Sequence, residues 1–411
     1  MAFARLRRVL ESEYSVNLRS DQALVNRVLA KINRRAQEFV QKGEPAPPTK
    51  NPTVVASIQA QPRWTLRAIS LLHKIGTLTT PAWLNLSQLS ASWATRRYFW
   101  AIPDGAGGPQ EFRLSEDARR LDFHQKTLLS DEFGIGMAGL VMEQLFNAPF
   151  FVDVSVALDD PAVYQNVRQA GEAQPDYLMW GEDPQSTYFV VECKGCQTTS
   201  SESMNQLRRG LEQVPSLVFG TGGRAVMTLV VATNLGEDRT TVFVLDPPGN
   251  DPDDTDAPSS NEREKVSKRT GERTWEIPNA AEFERRTQLS QESELLKWAR
   301  LFNQALERDS ELSHRGSQVR LPDFEPQTRI TDLGTYRGRS TPLFPELGHG
   351  SLSLFTGVEE ELLARIVERS AAVRRVARAI QEQVTHQNLR ETSPYRSLSR
   401  NGTCMIVEGI E

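Results

Sequence analysis

The predicted fold is decided by two neighbouring stretches of sequence, QPDYLMW at 174–180 and STYFVVECKG at 186–195. Residues 188–191 are apolar on both faces, which is typical of a central strand buried within a sheet. We therefore predict two adjacent strands, one over 174–180 and one over 187–194.

Charged residues lie at the ends of these two strands. Because strand side chains alternate between faces, Glu192 and Lys194 share one face and Cys193 lies on the other. With Asp176 on the neighbouring strand, two carboxylates and a lysine converge on one side of the sheet, where their burial is costly unless something compensates. Two carboxylates form a hard oxygen site suited to Mg²⁺, which can lower the pKa of a bound water and stabilise charge on a phosphate.

The surrounding pattern predicts an α/β layer with a mixed sheet. Helical patterns cover 136–147 and 203–216, and further strand patterns cover 150–157, 225–233 and 240–246. The predicted order is therefore a helix, three strands, a second helix and further strands.

This arrangement resembles the PD-(D/E)XK nuclease superfamily, whose core is restriction-endonuclease-like. Pro175 and Asp176 match the PD element, and Glu192, Cys193 and Lys194 match the (D/E)XK element. The resemblance implies that Asp176, Glu192 and the backbone carbonyl of Cys193 hold Mg²⁺, for which Mn²⁺ can substitute. It also implies that Lys194 positions the attacking water and stabilises charge on the scissile phosphate.

Three further residues are assigned by their position relative to the motif. Glu143, in the preceding helix, lies where many of these nucleases carry another acidic residue, so the resemblance implies a catalytic and metal-binding role. Gln206 and Arg209 lie on a polar stripe of the following helix, and we predict that they contact DNA. Some RecB-like members carry a tyrosine four residues after the glutamine, whereas this chain carries Gly210.

Residues 60–125 resemble a winged helix-turn-helix module. Short helical patterns are followed by strand-like runs at 98–102 and 110–114, and a glycine-rich turn separates the two runs. The resemblance places the end of the recognition helix at Arg96 and Arg97 and implies that both contact DNA. An ordinary helical domain with one hairpin is the alternative.

The distribution of charge favours a polyanionic partner for the N-terminal third. The whole chain has a net charge of −5, yet residues 1–130 carry 19 Lys and Arg against 10 Asp and Glu. A basic region on an acidic chain is typical of a nucleic-acid-binding surface. A solvated helical surface gives the same count, so charge alone leaves both interpretations open.

Composition divides the rest of the chain into segments. The stretch GNDPDDTDAPSSNEREK at 249–265 is acidic, with one alanine as its only apolar residue, which is typical of a flexible linker. An apolar stripe over 358–388 offers a surface for a homodimer or a partner protein. The predicted segments are a helical segment (1–50), a winged-helix-like DNA-binding module (55–125), the nuclease domain (126–248), the linker (249–275) and a mainly helical C-terminal region (276–411).

Composition also excludes several classes of protein. No stretch approaches the ~18 consecutive apolar residues of a membrane span, so we expect no membrane contact. The N-terminus lacks the apolar region of a secretory signal, and three cysteines cannot build a disulfide framework, so we expect a cytoplasmic protein. No glycine-rich phosphate-binding loop follows a predicted strand, which argues against ATP-driven action.

Taken together, these features favour a Mg²⁺-dependent DNA endonuclease. By analogy with similar fusions, restriction or anti-phage defence is the expected setting. Two alternatives remain open at this stage. One is a catalytically inert nuclease-fold protein that binds DNA or assembles on it, and the other is an RNA nuclease.

Overall fold

A computed structural model describes residues 2–409, except 45, 47–48, 50, 80–89, 106–109, 155–174, 182–186, 215, 220–225, 248–273, 278–279, 300, 313–325, 332–333, 344–351, 388–392 and 394. The helices are α1 (Ala2–Glu11), α2 (Gln22–Gln41), α3 (Ala56–Ala60), α4 (Ala68–Leu78), α5 (Ser90–Tyr98), α6 (Glu116–Arg119), α7 (Phe123–Leu145), α8 (Ser200–Gln213), α9 (Ala280–Trp298), α10 (Phe302–Leu312), α11 (Glu360–Val367) and α12 (Val373–Gln387). The strands are β1 (Glu13–Arg19), β2 (Arg63–Arg67), β3 (Gln110–Glu111), β4 (Phe150–Asp153), β5 (Tyr177–Trp180), β6 (Tyr188–Cys196), β7 (Ser216–Phe219), β8 (Val226–Leu235), β9 (Thr240–Leu245), β10 (Thr274–Ile277), β11 (Gln327–Thr331), β12 (Gly334–Pro342), β13 (Ser353–Glu359), β14 (Arg396–Leu398) and β15 (Thr403–Glu408).

A mixed sheet forms the centre of the structure. Its strands run in the order β2-β1-β9-β8-β6-β5-β4, and β3 pairs with β1 at its side. β4, β5 and β6 pair antiparallel, and α8 then carries the chain across to β8, which pairs in parallel with β6. The α/β class predicted from the sequence is confirmed.

Two glycines bring α7 directly against β6. A Cβ atom on Gly134 would lie 3.0 Å from backbone atoms of Lys194, and one on Gly195 would lie 1.8 Å from the carbonyl oxygen of Ser130. Only residues without a side chain permit so close an approach of two backbones. This contact places the middle of α7 beside the charged end of β6.

The N-terminal residues join the same sheet. β1 pairs antiparallel with β2 and parallel with β9, so the predicted helical segment 1–50 also contributes a strand. Of the short helical patterns expected within 60–125, the first, at 64–75, divides into β2 and α4.

The predicted wing hairpin of 98–102 and 110–114 is wrong. Residues 99–101 form a 3₁₀ turn at the end of α5, and β3 pairs in parallel with β1 instead. Tyr98 and Phe99 are buried, and a short apolar run that is buried on all sides fits a helix end as well as a strand. The winged-helix resemblance therefore finds no support in the described part of this segment.

A second, antiparallel sheet occupies the C-terminal part of the chain. Its strands run in the order β11-β12-β13-β15-β14. The region 276–411, predicted to be mainly helical, therefore contains this sheet in addition to the helices α9, α10, α11 and α12. β12, with the sequence GTYRGRSTP, carries one large apolar residue, Tyr336, so it shows no alternation of apolar and polar residues.

The structure also bears on the predicted linker and on the search for membrane-spanning helices. Most of the predicted linker 249–275 lies outside the described residues, and Thr274–Ile277 pairs in parallel with β7. None of the described helices combines the length and apolar character needed to cross a membrane.

The apolar stripe predicted over 358–388 is covered by the chain itself. It belongs to α11 and α12, and its residues Leu362, Ile366, Ile380 and Val384 are buried. Because this stripe packs inside the molecule, it cannot also serve a homodimer or a partner protein without opening the core.

A buried polar network joins the second sheet to α4 and α7. Lys74 and Glu143 form an ion pair in which each side chain is 4% exposed. The Ser399 hydroxyl accepts a hydrogen bond from Lys74 Nζ (2.9 Å) and donates one to Glu143 Oε2 (3.1 Å). The backbone N–H of Arg400 donates to Glu143 Oε1 at 2.6 Å. Glu143 therefore anchors the turn between β14 and β15.

We expect Glu143→Ala to lower the free energy of unfolding by about 3–5 kcal/mol, because it leaves the buried Lys74 ammonium without its counter-charge. Urea denaturation followed by circular dichroism measures the change. Glu38→Ala is the matched control, since it removes a 43%-exposed carboxylate from surface ion pairs and should cost less than about 1 kcal/mol. Equal losses in the two variants would contradict a structural role for the network.

Candidate functional site

Three residues of the predicted motif come together at the edge of β5 and β6. Asp176 directly precedes β5, and its Oδ2 accepts a hydrogen bond from the backbone N–H of Cys193 at 2.7 Å. The ammonium group of Lys194 contacts the carboxylate of Glu192 on the same strand. Glu192 and Lys194 therefore share one face of β6, as strand alternation predicts.

Glu192 is the most unusual group in this cluster. Its side chain is fully buried, and neither of its oxygens accepts a hydrogen bond of normal geometry from the described residues, although Lys194 lies against Oε1. Burial, and then the charge of Asp176, raise the pKa of Glu192 to about 8 against the opposing effect of Lys194. In the metal-free protein this carboxyl group therefore tends to keep its proton at neutral pH.

The pKa values of Lys194 and Asp176 are shifted by the same burial and by the charges of their neighbours. Burial alone would lower the pKa of Lys194, but the carboxylates of Glu192 and Asp176 outweigh it, and the net shift is upward. Burial raises the pKa of Asp176, although the charge of Lys194 opposes the shift. Lys194 stays positively charged, and 20% of its side chain is exposed, so its ammonium group can reach a bound molecule.

Two aspartates that the sequence analysis missed lie near the motif. Asp131 on α7 and Asp153 on β4 both add to the raised pKa of Asp176 through their charges. Burial raises the pKa of Asp131 itself, and the charge of Lys194 opposes this shift. Asp153 pairs with Tyr177 across β4 and β5, one position from Asp176. An acidic residue at the end of the strand before the motif was the available signal for Asp153.

Glu143 lies on α7, further toward the C-terminal end of the helix than the residues beside the motif. Gly134 marks the level at which α7 meets Lys194, and Glu143 is nine residues further along. At 1.5 Å per residue, that is about 13 Å along the helix axis. Together with its ion pair to Lys74, this position separates Glu143 from the motif, in contrast to the predicted catalytic and metal-binding role.

The two arginines at the end of α5 have different surroundings. Arg96 donates a hydrogen bond to the carbonyl of Pro342 on β12. Arg97 lies over the ring of Trp93, with its guanidinium carbon 4.7 Å from the ring centroid. The structure thus ties Arg96 to the second sheet and leaves Arg97 on the surface of α5.

The two predicted DNA contacts on α8 also differ. Gln206 donates a hydrogen bond to Glu202 at 3.3 Å within the same helix, whereas the Arg209 side chain is exposed. α8 passes close to the motif, since a Cβ atom on Gly210 would lie 3.4 Å from Cγ of Glu192. Gln206 lies one turn before Gly210 and therefore on the same side of the helix.

The motif residues match the oxygen chemistry of a magnesium site. Mg²⁺ keeps several waters and uses one or two protein carboxylates, which Asp176 and Glu192 provide, and the carbonyl of Cys193 is a further oxygen. The buried carboxyl group of Glu192 fits such a role, since buried acceptors normally have a well-aligned partner and the described residues give it none. Within the described ranges, no group of three or more His, Cys, Asp or Glu side chains is arranged to hold a metal ion. A site here would therefore depend on two carboxylates, backbone and water.

Comparison of the chain with family models, with curated proteins and with solved structures finds no match. The chemistry of the site therefore has to be argued from its own residues. Two buried carboxylates beside a charged, partly exposed lysine can hold a hard cation and stabilise negative charge on a bound phosphate.

We expect Glu192→Gln to stabilise the metal-free protein by about 2–4 kcal/mol at pH 8 and to change little at pH 5. The carboxyl group loses its proton near pH 4.5 in the unfolded chain and near pH 8 in the folded one. Between these values the folded state binds more protons, so wild-type stability falls as pH rises. Glutamine does not titrate and removes that dependence.

Urea unfolding with a chelator present, at both pH values, measures the difference. Glu38→Gln is the control, since it makes the same substitution at a carboxylate that is 43% exposed. A loss of stability in Glu192→Gln at pH 8 would show that the ionised carboxylate is well satisfied by its surroundings.

Proposed function

We propose that this protein is a Mg²⁺-dependent nuclease that hydrolyses DNA phosphodiester bonds with Asp176, Glu192 and Lys194. The observation that carries the proposal is the buried Glu192 carboxyl group, which accepts no hydrogen bond of normal geometry from the described residues and lies beside a charged lysine and a second carboxylate. A buried acceptor without a partner is costly in a purely structural site. A bound cation would satisfy it.

The order of elements supports the proposal. α7 precedes the antiparallel strands β4, β5 and β6, and α8 then leads to β8, which is parallel to β6. This is the order of helix, three strands, helix and strand that the PD-(D/E)XK resemblance implies. The motif residues occupy the start of the second strand and the end of the third.

Each motif residue has a role that its surroundings suit. Asp176, oriented by the Cys193 N–H, and Glu192 would hold Mg²⁺, which when bound supplies an activated water and stabilises charge on the phosphate. Lys194 keeps its proton, so it can orient the attacking water by donating a hydrogen bond and can stabilise the negative charge that develops on the phosphate.

The retained charges argue against an inert nuclease fold. Replacing a buried ion pair with apolar residues is often neutral or stabilising, so a purely structural core has little need of Glu192 and Lys194. RNA carries the same phosphodiester linkage and is the second candidate substrate. A role in restriction or anti-phage defence extends the proposal by analogy only.

We expect Asp176→Ala, Glu192→Ala and Lys194→Ala each to reduce DNA cleavage by at least about 100-fold, because each removes a metal oxygen or the cation beside the phosphate. Supercoiled, linear and single-stranded DNA, together with RNA, are incubated with Mg²⁺, with Mn²⁺ or with a chelator. Wild type should cleave DNA with either metal ion and should lose activity in the chelator.

Glu382→Ala is the control for these variants, because it removes an exposed carboxylate of α12 (63% exposed) and should keep full activity. Circular dichroism and thermal unfolding establish that each variant is folded. Full activity in either carboxylate variant, or cleavage in the chelator, would refute the assignment. Cleavage of RNA alone would change the substrate and keep the site.

A further inference from the structure

An aromatic ring and a cation lie together on the exposed side of α5. Trp93 is 38% exposed, and the guanidinium group of Arg97, one helical turn later, lies over its ring. Tryptophan is a largely buried residue on average, and the motif chemistry described above uses neither side chain.

The end of α5 packs against α7 at the level of the motif. The ring of Tyr98 lies 5.8 Å from that of Trp93 and 5.4 Å from that of Phe133 on α7, measured between centroids. Burial raises the pKa of Tyr98, and the charge of Glu132 adds to this shift. Burial also raises the pKa of Glu132, and the charge of Arg97 opposes that shift. Arg97, Tyr98 and Glu132 are therefore close neighbours.

Glu132 links this group to the motif. Its charge contributes to the raised pKa of Tyr177, the residue that follows Asp176. The preceding residue, Asp131, acts on the pKa of Asp176 itself. The end of α5 that carries Arg97 thus lies against the part of α7 that carries Asp131 and Glu132.

Among the described residues, Arg97 contacts the rings of Trp93 and Tyr98 and forms no salt bridge, although the carboxyl group of Glu132 is near enough for their charges to interact. The motif region carries several carboxylates, which repel a phosphate backbone. A cation at its edge offsets this repulsion and favours the entry of a polyanion.

We propose that Trp93 and Arg97 bind an unpaired segment of the DNA substrate, with a base stacked on the exposed part of the Trp93 ring and the adjacent phosphate bound by Arg97. The inference rests on the proposed nuclease function and names its substrate class: single-stranded DNA or a duplex with a single-stranded tail. Bases within a duplex already stack on their neighbours, whereas an unpaired base has a free face. Base–aromatic stacking accepts every base, so it selects strandedness and not sequence.

The test is a binding measurement on the full chain with a chelator present, so that no cleavage occurs. A fluorescent single strand and a duplex of the same sequence are compared. Wild type should bind the single strand more tightly. Trp93→Ala should weaken single-strand binding by about 5- to 150-fold, as the loss of one base–aromatic stack implies, and leave duplex binding unchanged. Trp93→Phe keeps a ring and should retain most of the affinity.

The contribution of the Arg97 charge to DNA binding is tested by Arg97→Ala, with Arg96→Ala as the control at the neighbouring position. Arg97→Ala should flatten the slope of log affinity against log salt by about 0.7 on the single strand, the value for one phosphate contact. Arg96→Ala should leave the slope unchanged, because Arg96 is bound to the Pro342 carbonyl. Ile330→Ala, which removes an 83%-exposed side chain from β11, controls for the loss of an exposed apolar group.

Unchanged single-strand affinity in Trp93→Ala would overturn the inference, as would equal losses on single strand and duplex, whether or not the wild type cleaves DNA. Loss of affinity in Trp93→Phe as large as in Trp93→Ala would overturn it too. If the variants behave as expected but wild type cleaves nothing with Mg²⁺ or Mn²⁺, the proposed nuclease activity fails and the binding surface stands.

Discussion

The burial of Glu192 and Lys194 at the end of β6 is the constraint on which the rest of the structure depends. Moving charged groups out of water costs several kcal/mol per ion, and a pair repays this only when its remaining hydrogen-bonding positions are filled. Here the carboxyl group of Glu192 interacts with Lys194 and with the backbone of Asp176, and neither of these described partners gives it a hydrogen bond of normal geometry. Glycines at 134, 195 and 210 let α7 and α8 close over this end of the strand. The helices therefore enclose a charged site that is unfavourable by itself, which is typical of a functional centre.

The central strands were predictable because their patterns are local. β5, β6, β8 and β9 are short apolar runs bounded by polar residues, and each lies within a few residues of its predicted position. α7 was harder to define, since it begins at Phe123 and its first half is largely polar. Its buried glycines have no side chain to contribute to a helical stripe. They mark close packing against α4 and β6, which is a tertiary property.

The errors share a physical cause: they concern contacts between segments that are distant in the chain. Asp131 and Glu143 both lie on α7, about 18 Å apart along its axis. The contact between Gly195 and Ser130 decides which of them is level with the motif. Helical periodicity gives the face of a helix but not its position along a neighbouring strand. In the same way, β12 and β13 depend on each other and on β15 for their burial, and their composition alone does not indicate a sheet.

Several basic residues of the N-terminal third form ion pairs with acidic residues of the same segment. Each pair removes one charge of either sign, so the excess of 19 basic over 10 acidic residues remains, and both interpretations of it stay open. These pairs are Arg5 with Asp117, Arg7 with Glu11, Arg8 with Asp104, Arg19 with Asp21 and Arg35 with Glu38.

What a phosphate backbone meets is the local balance of charge, not the count over 130 residues. Near the motif, the described cations that face the surface include Lys194, which is 20% exposed, Arg97, which is partly exposed, and Arg209 on α8, which is exposed. A surface that makes few phosphate contacts releases few counterions, so its affinity depends only weakly on salt. Most of the affinity must then come from other contacts, and the exposed ring of Trp93 is placed to supply one of them by stacking.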